Sequence, residues 1–357
     1  MRFCFIVEEQ YSGERMPMVV ARHLQLHGHS VDLLEPAKAI TCVSDLARQS
    51  YDAYVLKTVS DGPGLCLLEA AEATGIPTIN RSRAIRLVRD KTILTALASA
   101  AGLPCPRTYF IVDPRLLEQI PEADFPLVVK PTNGSCGRGI NLVRSPAELA
   151  HLEMTCSGPR FFLAQRYVEN AGYDIKIYVI GRRVYAVARK SPLHPELTVQ
   201  SQRIPLEPEW LELAQRVGNI FGLDIFGLDV VATSTGPMVV DINDFPSFGH
   251  VPHAVSRLAN YIVRIARQAR ARRGSGLRLT PARRDIAFSG ANPFHPTVRA
   301  RTPWCKSGVA PTAPMRAAPD PPSVSGVLQG VATQTPMVQR RPNRGGVAPR
   351  GAKAGRS

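Results

Sequence analysis

The sequence predicts an α/β fold that becomes α+β in its C-terminal half. Strand-like and helix-like segments alternate through the first 80 residues, whereas short strands with hairpin signals dominate the following region up to residue 271. Beyond about Gly274 both periodicities stop. A chain of 357 residues with 44% hydrophobic residues is long enough to form more than one core.

In the N-terminal region, residues 1–80, apolar strand patterns alternate with helical patterns and the connections are short. The predicted strands are RFCFIV, SVDLLEP, DAYVLK and IPTIN, and the predicted helices are PMVVARHLQLHG and GLCLLEAAEATG. Such alternation predicts a Rossmann-like parallel sheet flanked by helices. A single long helix, SRAIRLVRDKTILTALASAAG, is predicted to follow and to stop at Gly102 and Pro104.

Residues 81–271 form the second predicted region, with subdivisions at about 106–168 and 169–271. Its predicted strands are TYFIV, FPLVVK, GINLV, FFLAQRYV, DIKIYVIG, RVYAVARK, GLDVVA and GPMVVDIND. The IGRR segment is typical of a hairpin, so antiparallel pairing is expected here. Two helices are predicted as well, PEWLELAQRVGNIFG and HAVSRLANYIVRIARQARARR.

Most of the positive charge lies in the C-terminal segment, residues 272–357. The chain has a net charge of +15, and this segment contains 15 Lys and Arg against two Asp, which is +13 and leaves +2 for the rest. Its Pro, Arg and Gly content predicts disorder. Two interpretations stay open, a basic arm for nucleic acid or acidic partners and a solvated extension. The nearly neutral remainder argues against nucleic acid as a partner of the folded part.

Cysteine usage and apolar runs predict a cytoplasmic protein. The seven cysteines are scattered, odd in number and free of a C-x-x-C pair, which argues against a disulfide framework and a zinc knuckle. The N-terminus is typical of a first strand and not of a signal peptide, and no apolar run is long enough to predict a membrane span. A homo-oligomer stays open.

A Gly-rich segment, NGSCGRG, follows Lys130 at the end of an apolar strand. Small residues let backbone N–H groups approach a phosphate chain without a clash from Cβ. The segment lacks G-K-[ST], and its glycines lead into a strand, so neither a Walker A loop nor a dinucleotide fingerprint is indicated. An ordinary hairpin turn beside a surface lysine is the alternative.

Two consecutive apolar strands carry the candidate metal ligands Asp229, Asp241 and Asn243. Asp241 and Asn243 are two residues apart and therefore project from the same face of a strand. Carboxylate and amide oxygens suit Mg²⁺, with Mn²⁺ as a substitute. Lys176 and Arg189, on neighbouring predicted strands, are candidate partners for a phosphoryl group or an anionic intermediate, and surface charge is the alternative for each.

The order of these segments resembles the ATP-grasp superfamily, in particular the RimK-like amino-acid ligases and the related inositol polyphosphate kinases. The segments are RDK, VVKP, the Gly-rich loop, QRYVE, DIKIYVIG, VARK, GLDV and VVDINDFP. The resemblance covers roughly Met1 to Ala271. It implies an ATP-grasp fold preceded by the Rossmann-like sheet, with ATP and Mg²⁺ as cofactors.

The resemblance also implies a role for each matched residue. Lys91 and Lys130 would contact the α- and β-phosphates, Asp229, Asp241 and Asn243 would hold the metal, and Lys176 and Arg189 would face the transferring phosphoryl group. A mobile lid is implied over Asn133, Gly134, Ser135, Gly137 and Gly139. Adenine is implied to contact the backbone of Gln165, Arg166, Tyr167 and Val168, with Glu169 near the ribose.

The predicted function is an ATP-dependent ligase that joins a small carboxylate to an amine, such as an amino acid or peptide, through an acyl-phosphate. A kinase acting on a hydroxyl of a polyol phosphate is the alternative, because DINDFP is closer to the kinase pattern. The glutamate-adding ligases carry an R-S-N loop after the Arg189 position, where this chain has SPLHPEL, which puts glutamate as substrate in question. A third interpretation is a module that binds nucleic acid or a protein partner through the basic segment.

Overall fold

The computed structural model describes residues 1–13, 16–57, 62–132, 139–151 and 161–274. Residues 1–286 form one compact unit, and the second unit, residues 287–357, lies outside the described residues. Residues 272–274 of the basic segment are helical, contrary to the prediction of disorder. The rest of that segment, and most of the predicted lid, residues 133–138, lie outside the described residues. No helix within the described ranges combines the length and the apolar character needed to cross a membrane.

The first sheet is parallel and has the strand order β2-β1-β3-β4, as the alternating pattern predicted. Its elements are β1 (Arg2–Val7), α1 (Met16–Leu26), β2 (Ser30–Leu34), β3 (Ala53–Lys57), α2 (Gly64–Ala73) and β4 (Thr78–Ile79). In β1 every residue after Arg2 is buried, and in β3 every residue before Lys57 is buried. Such continuous apolar runs are typical of strands covered on both faces.

The long helix predicted after the first sheet is wrong, because the structure has two helices, α3 (Ser82–Arg89) and α4 (Lys91–Ala100). Asp90 separates them in an extended conformation, with φ −81° and ψ 102°. Its carboxylate accepts hydrogen bonds from the backbone N–H groups of Thr92 and Ile93, at 2.9 and 3.1 Å. Aspartate competes for backbone donors in this way and favours N-caps over helix interiors. Lys91 therefore begins a helix instead of lying within one.

The second sheet is antiparallel with the order β5-β8-β6-β7. Its strands are β5 (Thr108–Ile111), β6 (Leu127–Pro131), β7 (Asn141–Val143) and β8 (Phe162–Arg166). Apolar side chains from these strands pack with Leu117 and Ile120 in a separate small core. All four strands were predicted from their apolar patterns.

The third sheet is antiparallel with the order β11-β10-β9-β12-β13. Its strands are β9 (Tyr173–Ile180), β10 (Arg183–Lys190), β11 (Gln202–Ile204), β12 (Ile225–Thr233) and β13 (Gly236–Asn243). The helix α5 (Pro208–Phe221) precedes β12, and α6 (Ala254–Gly274) follows β13. Sequence reasoning missed β11, a short edge strand whose Gln202 and Arg203 are exposed, because it has no apolar alternation.

One hydrophobic core joins the first and third sheets. Phe3 and Phe5 of β1 belong to the same buried cluster as Tyr178 of β9. Leu258 of α6 and Phe245, which follows β13, also belong to it. This cluster brings the chain just after β13 against the first sheet. The predicted division at residue 80 stays a prediction, since apolar packing crosses it.

Asn80, directly after β4, fixes the same junction with its side chain. The buried amide donates to the carbonyls of Ile225 and Asp244, both at 2.6 Å, and accepts from the backbone N–H groups of Asp224 and Ile225. A buried amide with all of these partners rigidifies its surroundings. The start of β12 and the end of β13 are thereby tied to the first sheet.

Candidate active site

Register in the third sheet brings the predicted charged residues together. Asp229 of β12 lies opposite Lys176 of β9 on one side and opposite Asp241 of β13 on the other, and Arg189 of β10 lies opposite Asp174 of β9. Residues directly opposite in neighbouring strands share a face, with Cβ atoms about 5 Å apart. Strand pairing alone therefore gathers two cations and three carboxylates on one face.

Asp229 is the centre of this charged face. Its Oδ1 lies 2.8 Å from Lys176 Nζ and 2.7 Å from Arg189 Nη2, and its Oδ2 accepts a hydrogen bond of 3.1 Å from Asn243 Nδ2. Arg189 also lies 3.3 Å from Asp174. The Lys176 side chain is only 5% exposed, so these charges are paired inside the protein and not on its surface.

Two lysines reach this face from other elements. Lys91, at the start of α4, donates to Asp241 Oδ1 at 2.6 Å. Lys130, in β6 of the second sheet, donates to the carbonyl of Val240 at 3.0 Å. Because Asp229 pairs with Asp241 and Val230 pairs with Val239, Val240 is an extra residue on β13 and forms a β-bulge.

Burial and neighbouring charges shift the titration of these groups. Burial lowers the pKa of Lys130 to about 8, and the nearby charge of Lys91 acts in the same direction. Burial also lowers the pKa of Lys176, against the attraction of Asp229. Burial alone would raise the pKa of Asp241, but the charges of Lys91 and Lys130 outweigh it and hold that pKa below its usual value. Shifted pKa values of several groups in one cleft are a mark of a functional site.

A cavity of about 890 Å³ opens over the charged face. Eleven of the predicted site residues line this cavity, which are Lys91, Lys130, Gln165, Arg166, Tyr167, Val168, Lys176, Arg189, Asp229, Asp241 and Asn243. Glu169 is exposed and is not among the lining residues. The volume is at the upper end of the range for small-molecule sites.

Of the predicted lid, only Gly139 is described by the structure; Asn133, Gly134, Ser135 and Gly137 lie outside the described residues. Gly139 has φ +72°, in the left-handed region that favours glycine. A Cβ at this position would lie 3.4 Å from the ring of Pro131. Glycine thus lets the chain turn back beside the end of β6.

The segment predicted to hold adenine lines one wall of the cavity. The backbone N–H of Arg166 donates to the carbonyl of Arg107, and that of Tyr167 donates to the carbonyl of Pro126 at 2.7 Å. Hydrogen bonds from this segment to a base must therefore come from groups other than these two. The Tyr167 hydroxyl lies 3.0 Å from His194 Nε2, which links the segment to the residues after β10.

The oxygen donors fit Mg²⁺ in kind and number. Within the described ranges no three His, Cys, Asp or Glu side chains converge as a metal cluster, so the set is two carboxylates and one amide. Mg²⁺ in nucleotide sites uses one or two carboxylates and takes its remaining ligands from phosphate and water. Asp229 Oδ1 is buried and, despite its close cations, lacks a well-aligned hydrogen bond. Such an atom is suited to receive a cation.

Sequence reasoning missed four residues around the cavity. Lys57 ends β3, Arg89 forms a 2.7 Å ion pair with buried Asp244, and Asn80 holds the junction described above. At Gly227 a Cβ would lie 2.9 Å from Lys176 Cε and 3.0 Å from Pro246 Cγ. Only Lys57 left a usable signal, since it ends a predicted parallel strand and ligands bind at the carboxyl ends of such strands.

Comparison with known proteins shows which domain has this architecture. The RimK-like ATP-grasp domain matches residues 88–260. This chain carries a RimK-like ATP-grasp domain. A curated relative is the probable alpha-L-glutamate ligase of Alkalilimnicola ehrlichii, which is 29% identical over 229 residues, or 60% of this chain and 76% of that protein.

Solved structures agree with the ATP-grasp fold. The RimK domain protein of Sphaerobacter thermophilus superposes with a TM-score of 0.59 at 21% identity, covering 74% of this chain and 98% of that one. The D-alanine–D-alanine ligase of Bacillus anthracis, in complex with ATP, superposes with a TM-score of 0.57 at 17% identity, covering 76% and 98%. Both share the ATP-grasp fold with this chain.

Proposed function

We propose that this protein is an ATP- and Mg²⁺-dependent ligase that joins a carboxylate to an amine through an acyl-phosphate. The observation that carries the proposal is the charged face of the third sheet, where three carboxylates, an amide and four cations line one cavity in a RimK-like ATP-grasp domain. The name of the A. ehrlichii relative supports a ligase over the kinase alternative.

In the proposed complex, Lys91 and Lys130 neutralise the α- and β-phosphates of ATP. Both lysines approach the face from outside the third sheet, so the phosphate chain would lie between the second and third sheets. The segment 165–168 would hold the base and Glu169 the ribose. The loop 133–139 would close over the phosphates and bind them with its backbone N–H groups, which Gly-rich segments can present to an anion.

Asp229, Asp241 and Asn243 would hold the metal, which supplies charge neutralisation when bound. Lys91 and Lys176 are within 2.6–2.8 Å of Asp241 and Asp229, respectively. We propose that the two ammonium groups turn from the carboxylates to phosphate oxygens when nucleotide binds. The charges of Lys91 and Lys130 favour the ionised form of Asp241 and hold its pKa below the usual value.

Chemistry would proceed in two steps. A carboxylate oxygen of the substrate attacks the γ-phosphorus, the bond to the β-phosphate oxygen breaks, and ADP leaves. The amine nitrogen of the second substrate then attacks the acyl carbon, phosphate leaves, and the nitrogen loses a proton. Lys176 and Arg189 would bind the transferred phosphoryl oxygens, and exclusion of water would protect the acyl-phosphate from hydrolysis.

The decisive experiment uses the full chain with Mg²⁺-ATP and a panel of amino acids, dipeptides, small carboxylates and polyol phosphates. ADP, free phosphate and product mass are followed together. A condensation product with one phosphate released per ADP supports the ligase. A substrate heavier by one phosphoryl group, without free phosphate, would replace it by the kinase.

A further inference from the structure

The segment SPLHPEL, residues 191–197, forms part of the cavity wall. It begins directly after β10, the strand that carries Arg189. Four of its residues line the cavity, which are Ser191, Pro192, Leu193 and Pro195. The proposed chemistry gives this segment no task, although the segment adjoins an arginine proposed to bind the transferred phosphoryl group.

Two consecutive turns give residues 191–197 a defined shape. The backbone N–H of His194 donates to the carbonyl of Ser191 at 3.4 Å, and that of Leu197 donates to the carbonyl of His194 at 3.2 Å. Ser191 is buried, and its hydroxyl accepts from the N–H of Leu193 at 3.3 Å. Hydrogen bonds that span three residues are typical of tight turns. His194 lies where the two turns meet, so both of them fix its backbone.

The side chain of His194 joins this segment to residues 165–168, which are proposed to hold the base. Its Nε2 lies 3.0 Å from the Tyr167 hydroxyl, and its Nδ1 lies 3.3 Å from a carboxylate oxygen of Glu196. A carboxylate can only accept, so Nδ1 carries a hydrogen, and Nε2 of the neutral ring accepts from the Tyr167 O–H. Glu196 is 63% exposed, and ion pairs at such exposure contribute little. The hydrogen bond with Tyr167 is therefore the stronger of the two.

An apolar contact beside this hydrogen bond holds the same two segments together. Asn170 forms a turn after Val168, because its side chain donates to the Val168 carbonyl and accepts from the N–H of Gly172, both at 2.8 Å. Gly172 is buried with φ +79°, and Leu197 Cδ1 occupies the space that a Cβ would need. This turn therefore packs against the end of residues 191–197.

Tyr167 is held from two sheets at once. Its backbone N–H donates to the carbonyl of Pro126, directly before β6 of the second sheet, and its hydroxyl donates to His194, after β10 of the third. Tyr167 thus bridges the two sheets at one wall of the cavity. A wall that is fixed before the ligand arrives loses less conformational freedom on binding, which increases affinity.

We propose that His194 is a positioning residue for the nucleotide base, because its hydrogen bond with Tyr167 holds residues 165–168 in the conformation that binds the base. The proposal rests on the proposed function, which places the base on these residues, and deepens it by naming the residue that preorganises them. Loss of the hydrogen bond lowers the affinity for the base. It leaves the phosphate contacts of Lys91 and Lys130 intact, since both lysines lie on other elements.

The test separates binding of the base from binding of the phosphate chain. The full chain with Mg²⁺ is titrated by calorimetry with AMPPNP and, separately, with inorganic tripolyphosphate. The variants are His194→Ala, Tyr167→Phe, their double variant and His194→Gln, whose side-chain carbonyl can accept from the Tyr167 hydroxyl. His27→Ala is the matched control, because His27 is an exposed histidine whose ring contacts the carbonyl of His23 in α1.

We expect His194→Ala and Tyr167→Phe each to weaken AMPPNP binding about five- to ten-fold, the scale of one neutral hydrogen bond. The double variant should bind AMPPNP as well as His194→Ala does, because both changes remove the same contact. His194→Gln and His27→Ala should stay within about two-fold of the unmodified chain. Tripolyphosphate affinity should stay within about two-fold in every variant, which also shows that each variant has folded.

Three results would overturn the role of His194. They are AMPPNP affinity that His194→Ala leaves unchanged, losses that add up in the double variant, and a loss of tripolyphosphate affinity as large as that of AMPPNP affinity, which would indicate general loosening of the site. Where tripolyphosphate binds too weakly to measure, the comparison of single and double variants decides. An unmodified chain that does not bind AMPPNP would instead remove the nucleotide site of the proposed function.

Discussion

The first and third sheets use their buried strands in opposite ways. In the first sheet, β1 and β3 bury only apolar side chains apart from their ends, and Lys57 emerges at the carboxyl edge. In the third sheet, β9 and β12 bury Lys176 and Asp229 in the middle of apolar runs. Both sheets contribute to one core and to one cavity.

We infer from this difference that the first sheet mainly stabilises the fold, whereas the third sheet carries the groups proposed for the chemistry. An apolar strand tolerates little change in volume but needs no ligand. A buried network of charges is a poor source of stability, because desolvation offsets much of the attraction. The third sheet retains such a network on the face that meets the cavity, where we propose that it acts in binding and catalysis. Mutations in the two sheets should therefore have different effects.

The largest effect on turnover is expected for Asp241→Asn in the third sheet. The amide keeps a hydrogen-bond acceptor for Lys91 but loses the charge that a metal requires, so turnover should fall more than about 100-fold. Steady-state release of ADP measures the change. The matched control in the first sheet is Asp32→Asn, which alters an exposed pair with Arg2 and should leave turnover unchanged. Retained activity in Asp241→Asn would remove the metal assignment.

A pair of glycine substitutions sharpens the comparison. Gly227→Ala would place a Cβ 2.9 Å from Lys176 Cε, and the displaced ammonium should lower kcat about 10- to 100-fold. Gly64→Ala would place a Cβ 2.8 Å from Leu56 Cδ1 in the first-sheet core, and it should lower the free energy of unfolding by about 1–3 kcal/mol with kcat retained. Denaturant unfolding and turnover are measured on both. Equal losses of kcat would contradict the separation.

The number of protons taken up when nucleotide binds tests whether the phosphates lie at the charged face. Burial lowers the pKa of Lys130 to about 8, so near pH 8 the group is about half deprotonated. Phosphate oxygens favour the ammonium and raise that pKa, so AMPPNP binding at pH 8 should take up to about half a proton. Calorimetry in buffers of different ionisation enthalpy measures this number. Binding without proton uptake, or uptake that persists in Lys130→Met, would place the phosphates elsewhere.

The smallest effect is expected at Asp90, between the two regions. Asp90→Ala removes the N-cap of α4 and should cost about 1 kcal/mol of the free energy of unfolding. Because Lys91 is the first residue of that helix, the KM for ATP should rise a few-fold while kcat changes little. Asp90→Ser restores a cap and should restore both. An unchanged KM in the alanine variant would show that the cap does not position Lys91.

Much of the fold followed from local patterns. Alternation of strands and helices predicted the parallel first sheet, and hairpin signals predicted the antiparallel pairing of β9 with β10. The break at Asp90 and the edge strand β11 did not follow. The residues around Asp90 are compatible with one continuous helix, and whether Asp90 caps a new helix depends on which hydrogen bonds its side chain forms. The strand β11 is exposed, has three residues and shows no apolar periodicity.

Sequence alone determined the kinds of residues at the site, because Lys, Asp and Asn within apolar strands mark themselves by their cost of burial. It also determined that Asp241 and Asn243 share a face, since a strand alternates with period two. Only the tertiary structure decided that Asp229 meets Lys176 and Asn243, that the bulge at Val240 receives Lys130, and that Lys57 reaches Phe245. These contacts join residues distant in sequence. They depend on strand register and on the packing of one sheet against another, which no local pattern encodes.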